Sequence, residues 1–275
     1  MNTQPQLESQ LRCLKLSGML QTLDMRLLEC RQNQLGHLDF LSMLIQDESE
    51  QRHMRKVNRL LKQARFGLEK TLEAFDFKAN PFIDASLIRD LATCRFIQRA
   101  ENILLVGPPG TGKTHLAKAL GHQACWHLFT VRFLKSHHLM TDLITSDLKG
   151  TLEQSITELI KVDLLIIDDF GLKRIDQNGS EYFYTIIDGR YDTRSTILTS
   201  NRPMTDWMSI FPDPVVAGAI LDRIAHNAHQ IIIKGESVRK KRPSKSKRLT
   251  SKKRDNSLSL KAHKGGELEW HWGGE

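Results

Sequence analysis

Leucine and methionine recur every three to five positions in the first part of the chain, which is the spacing of one apolar stripe along a helix. Residues 6–30 carry such a stripe and predict a helix that breaks near Gly18. Similar stripes predict helices over residues 37–50 and 50–66. The region is therefore all-helical, and it is small for a hydrophobic core of its own. The apolar face of its third helix consists of Met54, Val57, Leu60, Leu61 and Ala64.

The helical spacing stops near residue 75. Phe75, Phe77 and the Asn80-Pro81-Phe82 step interrupt it, and proline biases the residue before it away from the helical conformation. We expect a domain boundary here. The two phenylalanines are expected to pack against the following domain, with stacking on adenine as the alternative. Residues 83–100 then predict an amphipathic helix.

Five runs rich in aliphatic and β-branched residues follow, and helical stretches separate them. Such runs predict strands of a parallel sheet, because those strands are buried on both faces. Alternating strands and helices predict a three-layer α/β domain with a five-stranded, mostly parallel sheet. The predicted strands are residues 102–106, 129–134, 163–169, 195–201 and 230–234, and the later predicted helices are 136–148, 150–161, 179–192 and 205–227.

A glycine-rich loop follows the first predicted strand. Residues 107–114 fit the pattern G-x-x-x-x-G-K-[ST], and a predicted helix follows at once. Such a loop folds around an anion, so that its N–H groups and the helix start point at phosphate. Lys113 would reach the β- and γ-phosphates, and the Thr114 hydroxyl would contact Mg²⁺. The predicted nucleotide-binding residues of this loop are Gly107, Pro108, Pro109, Gly110, Thr111, Gly112, Lys113, Thr114 and His115.

Polar side chains end two later strands, at the edge where open α/β sheets bind ligands. Asp168 and Asp169 follow four aliphatic residues. We expect Asp168 to hold Mg²⁺ through water or through Thr114, and Asp169 to orient or deprotonate a water. Asn201 ends the fourth strand, where its amide could sense the γ-phosphate or hold the water. Because aspartate is shorter than glutamate, we expect weak basal hydrolysis that a partner improves.

Two arginines complete the predicted site. A positioned arginine stabilises the charge that develops during phosphoryl transfer. Arg223 follows the fourth strand and, supplied to a neighbouring subunit, would make hydrolysis depend on assembly. Arg239 follows the fifth strand and could touch the γ-phosphate of its own subunit. Each arginine could equally be a solvated surface residue.

Positive charge is concentrated at one end of the chain. The formal net charge is +8, and residues 240–254 contain nine basic residues and no acid, which leaves −1 for the rest. Such a tail is usually disordered and either touches nucleic acid or only aids solubility. The third helix offers a second basic surface, for which DNA phosphate contact and simple solvation are equal alternatives. The predicted DNA-binding residues on it are Arg52, Arg55, Lys56, Arg59 and Lys62.

Several classes of protein are disfavoured. The four cysteines form no C-x-x-C pair, which argues against a disulfide framework and a zinc site. The first residues do not fit a signal peptide, and no apolar stretch approaches the ~20 residues of a membrane span. We therefore expect a soluble, cytoplasmic protein without a membrane partner.

The order of these features resembles the AAA+ ATPases and, more narrowly, the IstB-like insertion-sequence ATP-binding proteins, relatives of the DnaC helicase loaders. The resemblance covers nearly all of residues 1–242, and Val238 departs from it because a larger residue such as Tyr is expected there. The stretches that carry it are residues 101–107, 114–117, 162–171, 194–201, 219–228 and 235–239.

The resemblance implies a role for each candidate residue. Asp168 and Asp169 would be the Walker-B acids and Asn201 sensor 1. Arg223 would be the arginine finger that contacts the nucleotide of a neighbouring subunit, and Arg239 would be the sensor 2 residue. The expected organisation is a helical DNA- or partner-binding domain over residues 1–74, an AAA+ ATPase domain over 75–239 and a basic tail over 240–275.

The resemblance also implies a function. ATP and Mg²⁺ would be the cofactors, and the protein would assemble as a ring or helical filament on duplex DNA and assist the transposase of the same mobile element. The first alternative is a DnaC-like replicative helicase loader. A small-molecule phosphotransferase is disfavoured because no arginine-rich lid is evident. A purely structural DNA-binding protein that binds ATP without turnover is the third alternative.

Overall fold

Three helices form the amino-terminal part of the protein in a computed structural model, which describes residues 4–67 and 70–235. They are α1 (Gln4–Cys13), α2 (Ser17–Asn33) and α3 (His37–Ala64). The break predicted near Gly18 is confirmed, and it falls at residues 14–16, between α1 and α2. The boundary predicted at residue 50 is wrong. Helix α3 continues through it, since no glycine or proline interrupts that stretch.

Gly18 is a point of close contact between α2 and α3. A Cβ atom at Gly18 would lie 2.5 Å from the Cα of Glu48, so only glycine fits. The buried Glu48 carboxylate accepts hydrogen bonds from the N–H groups of Gly18 (2.6 Å) and Met19 (3.3 Å), which have no partner within their own helix. Burial opposes its ionisation, but the bonds from Arg52, Gly18 and Met19 prevail and lower the pKa of Glu48.

The second part of the chain alternates strands and helices. Cys94, at φ +60°, separates α4 from α5, so the single helix predicted over residues 83–100 is wrong. The strands and later helices follow the predicted bounds to within two residues, and the stretch predicted as helical over residues 205–227 is a 3-10 helix followed by an α-helix. In order the elements are a 3-10 turn (Phe77–Ala79), α4 (Ala85–Leu91), α5 (Arg95–Gln98), β1 (Asn102–Val106), α6 (Lys113–Trp126), β2 (Val131–Lys135), α7 (Ser136–Leu148), α8 (Leu152–Lys161), β3 (Leu164–Phe170), α9 (Gln177–Arg190), β4 (Ser195–Ser200), a 3-10 helix (Met204–Ile210), α10 (Pro214–Ala225) and β5 (Ala228–Ile232).

The five strands form one parallel sheet in the order β2-β3-β4-β1-β5, which confirms the predicted sheet. Strand β4 lies between β1 and β3, with Ser200 opposite Val106 and Leu198 opposite Ile167. Parallel strands all end at the same edge of a sheet. The loop after β1 and the acids at the end of β3 are therefore neighbours at the carboxyl edge.

Each face of the sheet carries its own hydrophobic core, which gives the three layers. On one face Ile103 and Leu105 pack with α6, and α3 joins them through Leu60 and Ala64. On the other face Leu104 packs with residues of α7 to α10. The third amino-terminal helix is thus part of the sheet's own core, while the division at residue 74 stays a prediction. Within residues 4–67 and 70–235, no helix is both long and apolar enough to cross a membrane.

We expect Gly18→Ala to lower the free energy of unfolding by about 1–3 kcal/mol, because the new methyl group would press on the backbone of α3. Gly218→Ala is the matched control. It lies in α10 with open space where a Cβ would stand, so the same change should raise stability by about 0.5–1 kcal/mol. Urea unfolding followed by circular dichroism measures both. Shifts of equal sign would contradict the close approach of α2 and α3.

Candidate nucleotide-binding site

The loop between β1 and α6 depends on glycine at two positions. A Cβ at Gly107 would lie 2.1 Å from the carbonyl oxygen of Ile233, just after β5. Gly112 has a φ of +104°, and a Cβ there would lie 2.9 Å from the ring of Phe75. Helix α6 starts at the next residue, so the N–H groups of its first turn are directed at the loop. This geometry suits an anion.

The Lys113 side chain is buried within the loop. Its Nζ donates hydrogen bonds to the carbonyl oxygens of Gly107 (2.7 Å) and Pro108 (2.8 Å). The Thr111 hydroxyl donates to the same Pro108 oxygen at 2.8 Å. The ammonium group is therefore fixed where it can pair with phosphate oxygens.

Asp168 connects the loop helix to the centre of the sheet. Its Oδ1 accepts hydrogen bonds from the hydroxyls of Thr114 on α6 (2.8 Å) and Thr199 on β4 (2.6 Å). The residue is only 1% exposed, and burial raises the pKa of Asp168 although both hydroxyl bonds oppose the shift. The structure thus brings together Thr114 and Asp168, the two predicted metal ligands. A bound cation would offset the cost of the buried charge.

Asp169 departs from regular strand geometry. Its φ is +57°, and the pairing of β3 with β4 is irregular between Ile167 and Phe170, as at a β-bulge. Its N–H donates to the Thr199 hydroxyl at 3.0 Å, and its Oδ2 lies 4.0 Å from the Nζ of Lys135. The side chain is 30% exposed, in contrast to Asp168, so it can meet a water molecule.

Thr199 is a site residue that the sequence analysis missed. Its hydroxyl donates to Asp168 and accepts from the N–H of Asp169, so one side chain holds both acids. The signal was a hydroxyl residue near the end of a strand that is buried throughout and whose two central residues are aliphatic. The predicted Asn201 directly follows that strand and is half-buried. The carbonyl of its neighbour Ser200 accepts a bond from the Gly107 N–H at 3.2 Å, so Asn201 stands beside the loop.

Residues 70–82 pack against the carboxyl-terminal half of the loop and the start of α6. The Phe75 ring meets the rings of Phe77 (4.9 Å between centroids) and His115 (5.0 Å), both edge-on. The expected packing role of the two phenylalanines is confirmed, since both lie against the sheet's core. Asn80, which was not predicted, is buried, and its amide lies 3.5 Å from the carbonyl oxygen of Thr111. This segment supports the loop.

Arg223 is remote from the glycine-rich loop. The neighbouring Ile224 carbonyl accepts a bond from Asn102 at 3.2 Å, which places the end of α10 beside the start of β1. The loop lies at the other end of that five-residue strand, about 16 Å away at ~3.3 Å per residue. Arg223 therefore cannot reach the loop of its own subunit. Arg239, Val238 and the tail over 240–275 lie outside the described residues.

Arg190 is a second residue that the sequence analysis missed. It is buried at the end of α9, and its Nη1 donates to the carbonyl oxygens of Leu159 (2.8 Å), Ile160 (3.1 Å) and Val162 (2.8 Å). These carbonyls belong to the end of α8, where helix carbonyls lack intrahelical partners. Burial lowers the pKa of Arg190 to about 9, so the guanidinium is still charged at neutral pH. Its role is structural.

Known proteins resemble this chain over most of its length. Residues 9–246 match the family described as IstB-like ATP binding proteins. An ATP-binding protein of an insertion sequence from Mycobacterium tuberculosis is 42% identical over 243 residues, which are 88% of this chain and 97% of that protein. The ATP-binding protein of insertion sequence IS21 from Pseudomonas aeruginosa is 38% identical over 245 residues, 89% of this chain and 92% of its own.

Solved structures share the fold at lower identity. The DnaC helicase loader is 24% identical with a TM-score of 0.51, over 62% of this chain and 99% of its own. AMPPCP-bound DnaA from Aquifex aeolicus is 21% identical with a TM-score of 0.53, over 72% of this chain and 58% of its own. Since the family match runs from within α1 to beyond β5, the chain belongs to the IstB-like ATP binding proteins, and its sheet has the AAA+ fold behind three amino-terminal helices.

Proposed function

We propose that this protein is an ATPase that assembles on duplex target DNA in its ATP state and assists the transposase of the same mobile element. The observation that carries the proposal is the division of the site between two edges of the sheet. The phosphate loop and both acids lie at the carboxyl edge, whereas Arg223 lies at the amino edge. A second copy that presents its Arg223 to this loop completes the site. Hydrolysis then depends on assembly into a ring or helical filament.

The carboxyl edge suits Mg²⁺ and ATP. A carboxylate and a hydroxyl, completed by water and phosphate oxygens, form the kind of oxygen donor set that Mg²⁺ prefers. Thr114 and Asp168 would hold the ion, which supplies neutralisation of phosphate charge when bound. Lys113 binds the phosphates, and Asp169 orients or deprotonates the attacking water. Asn201 stands beside Gly107 at the start of the loop, where its amide is proposed to sense the γ-phosphate or hold the water.

The exposed face of α3 is the proposed DNA contact. Two of its five predicted residues already have internal bonds: Arg52 to Glu48 at 2.6 Å, and Arg55 to Gln51 at 2.7 Å. Lys56, Arg59 and Lys62 are exposed on the same face. These three are therefore the stronger candidates for phosphate contacts, while Arg52 also serves the α2–α3 contact.

The link to transposition rests on the relatives. Those that match nearly nine-tenths of this chain, at 42% and 38% identity, are named as ATP-binding proteins of insertion sequences. The likeness to the DnaC helicase loader, at 24% identity, supports a shared fold alone. We therefore favour the transposase helper over the helicase loader.

Sedimentation of the purified protein with long duplex DNA tests the assembly. We expect large complexes with ATP–Mg²⁺ that disappear with ADP. Arg223→Ala should still bind a fluorescent ATP analogue but form no large complexes, because each nucleotide lacks its neighbour's arginine. Absence of duplex binding in both nucleotide states would contradict the proposal and favour a loader that acts on a protein partner.

A second experiment tests the face of α3. Replacing Lys56, Arg59 and Lys62 by alanine should weaken duplex binding in the same proportion for every DNA sequence. It should also reduce the slope of log K against log salt by about 0.9 for each phosphate that the variant no longer neutralises. The control replaces Lys149 and Lys161, which are both exposed but lie outside α3. An unchanged slope in the α3 variant would rule out this face as the DNA contact.

The Thr199 hydroxyl is expected to matter for Mg²⁺ and for turnover. Thr199→Val keeps the side-chain shape but removes one hydroxyl bond to Asp168 and the acceptor of the Asp169 N–H. Removing a bond that orients a metal ligand costs about 10–100-fold in affinity or activity, so ATP hydrolysis titrated with Mg²⁺ should show at least a tenfold loss. Thr199→Ser retains the hydroxyl and should stay near wild type. Equal activity of the two variants would contradict this role.

A further inference from the structure

Arg223 is held by a defined set of partners rather than extended freely into solvent. Its Nε donates to Oδ1 of Asp188 at 2.8 Å, and its Nη1 donates to the carbonyl oxygen of Ala219 at 3.0 Å. Its Nη2 lies 3.3 Å from the Tyr184 hydroxyl. The guanidinium also lies over the rings of Tyr184 (5.2 Å) and Tyr191 (6.0 Å). All three nitrogens of the guanidinium are thus oriented.

The partners come from two packed helices. Tyr184 and Asp188 are four residues apart on α9, so they share one face of that helix. Ala219 and Arg223 are related in the same way on α10. A guanidinium has five N–H groups, of which these contacts use three. Within the part of the chain that the structure describes, one N–H on each terminal nitrogen is left to meet a phosphate oxygen.

We propose that Asp188, Tyr184 and Tyr191 are positioning residues that hold the Arg223 guanidinium ready for the ATP of a second copy of this chain. The inference rests on the proposed function, in which Arg223 acts across a subunit interface. A free arginine side chain loses much rotational freedom when it is fixed against a phosphate. An arginine that its own subunit already fixes loses less rotational freedom on assembly. The entropy cost of forming each interface is therefore lower.

The same contact could be an ordinary surface ion pair. Asp188 is 48% exposed and Arg223 26% exposed, and exposed pairs add little to folding stability. The two roles predict different results when Asp188 is substituted in chains with and without Arg223. A positioning role acts only through the Arg223 of the same chain, whereas a structural role acts on any chain that carries the substitution.

Mixed assemblies separate these roles. A Lys113→Ala chain lacks a working loop but supplies Arg223, and an Arg223→Ala chain supplies a loop without the arginine. Each alone should hydrolyse little ATP on duplex DNA, and their mixture should recover activity at the mixed interfaces. Asp188→Asn is then added either to the arginine donor (Lys113→Ala) or to the loop donor (Arg223→Ala), and kcat and KM for ATP are measured.

In the arginine donor, we expect Asp188→Asn to lower kcat about tenfold, the factor that corresponds to ordering one long side chain, with KM for ATP unchanged. In the loop donor, it should change neither value, because that chain has no Arg223. Asp188→Glu in the arginine donor should recover part of the rate, since a carboxylate is retained. Asp142→Asn, which changes an exposed aspartate on α7, is the matched control and should have no effect.

Other results would overturn the proposal in distinguishable ways. An equal loss in both donors would make the contact structural. A faster rate in the arginine donor would make Asp188 a latch that restrains Arg223, and an unchanged rate would remove any role for it. If the parental mixture itself stays inactive, hydrolysis is not shared between subunits, and the proposed function fails together with this inference.

Discussion

The buried carboxylate of Asp168 is the interaction on which the rest of the site depends. It receives one hydroxyl from the first turn of α6 and one from β4, so a single charged group joins the loop helix to two central strands. Burial raises the free energy of the ionised carboxylate. The two hydroxyl bonds offset only part of this penalty, as the raised pKa of Asp168 indicates. A bound cation would offset this cost, and metal binding would then depend on the geometry of the phosphate loop.

The amino-terminal helices are fixed to the same machinery. The carbonyl of Phe66, just after α3, accepts a bond from Lys118 on α6, and the carbonyl of Gln63 accepts one from Arg132 on β2 at 3.5 Å. Helix α6 starts with Lys113 of the phosphate loop. Helix α3, which is proposed to contact DNA, is therefore attached to the helix that carries this loop lysine. At the other end of α3, Glu48 and Gly18 lock the helix to α2.

Sequence patterns were most informative where one residue type is physically required. Gly107 and Gly112 stand where any side chain would clash, and the aliphatic run before Asp168 is fully buried in the sheet. Sequence patterns were uninformative where a contact with a residue far along the chain decides the role of a side chain. Gly18 lies close to the predicted break between α1 and α2, but its contact with α3 could not be predicted from the pattern. The boundary expected at residue 50 does not exist, and the contacts that Asp47 and Glu48 make with α2 were not predicted.

The sequence by itself determined the parallel α/β sheet, the phosphate loop, the acid pair and the family, because these follow from local spacing and short motifs. Only the tertiary structure decided which residues meet. Thr199 and Arg190 gained their roles from partners about 30 residues away, which no local pattern encodes. The strand order likewise brought Asp168 to Thr114 and carried Arg223 to the opposite edge. Hydrogen bonding and burial act through space, so these assignments needed the folded chain.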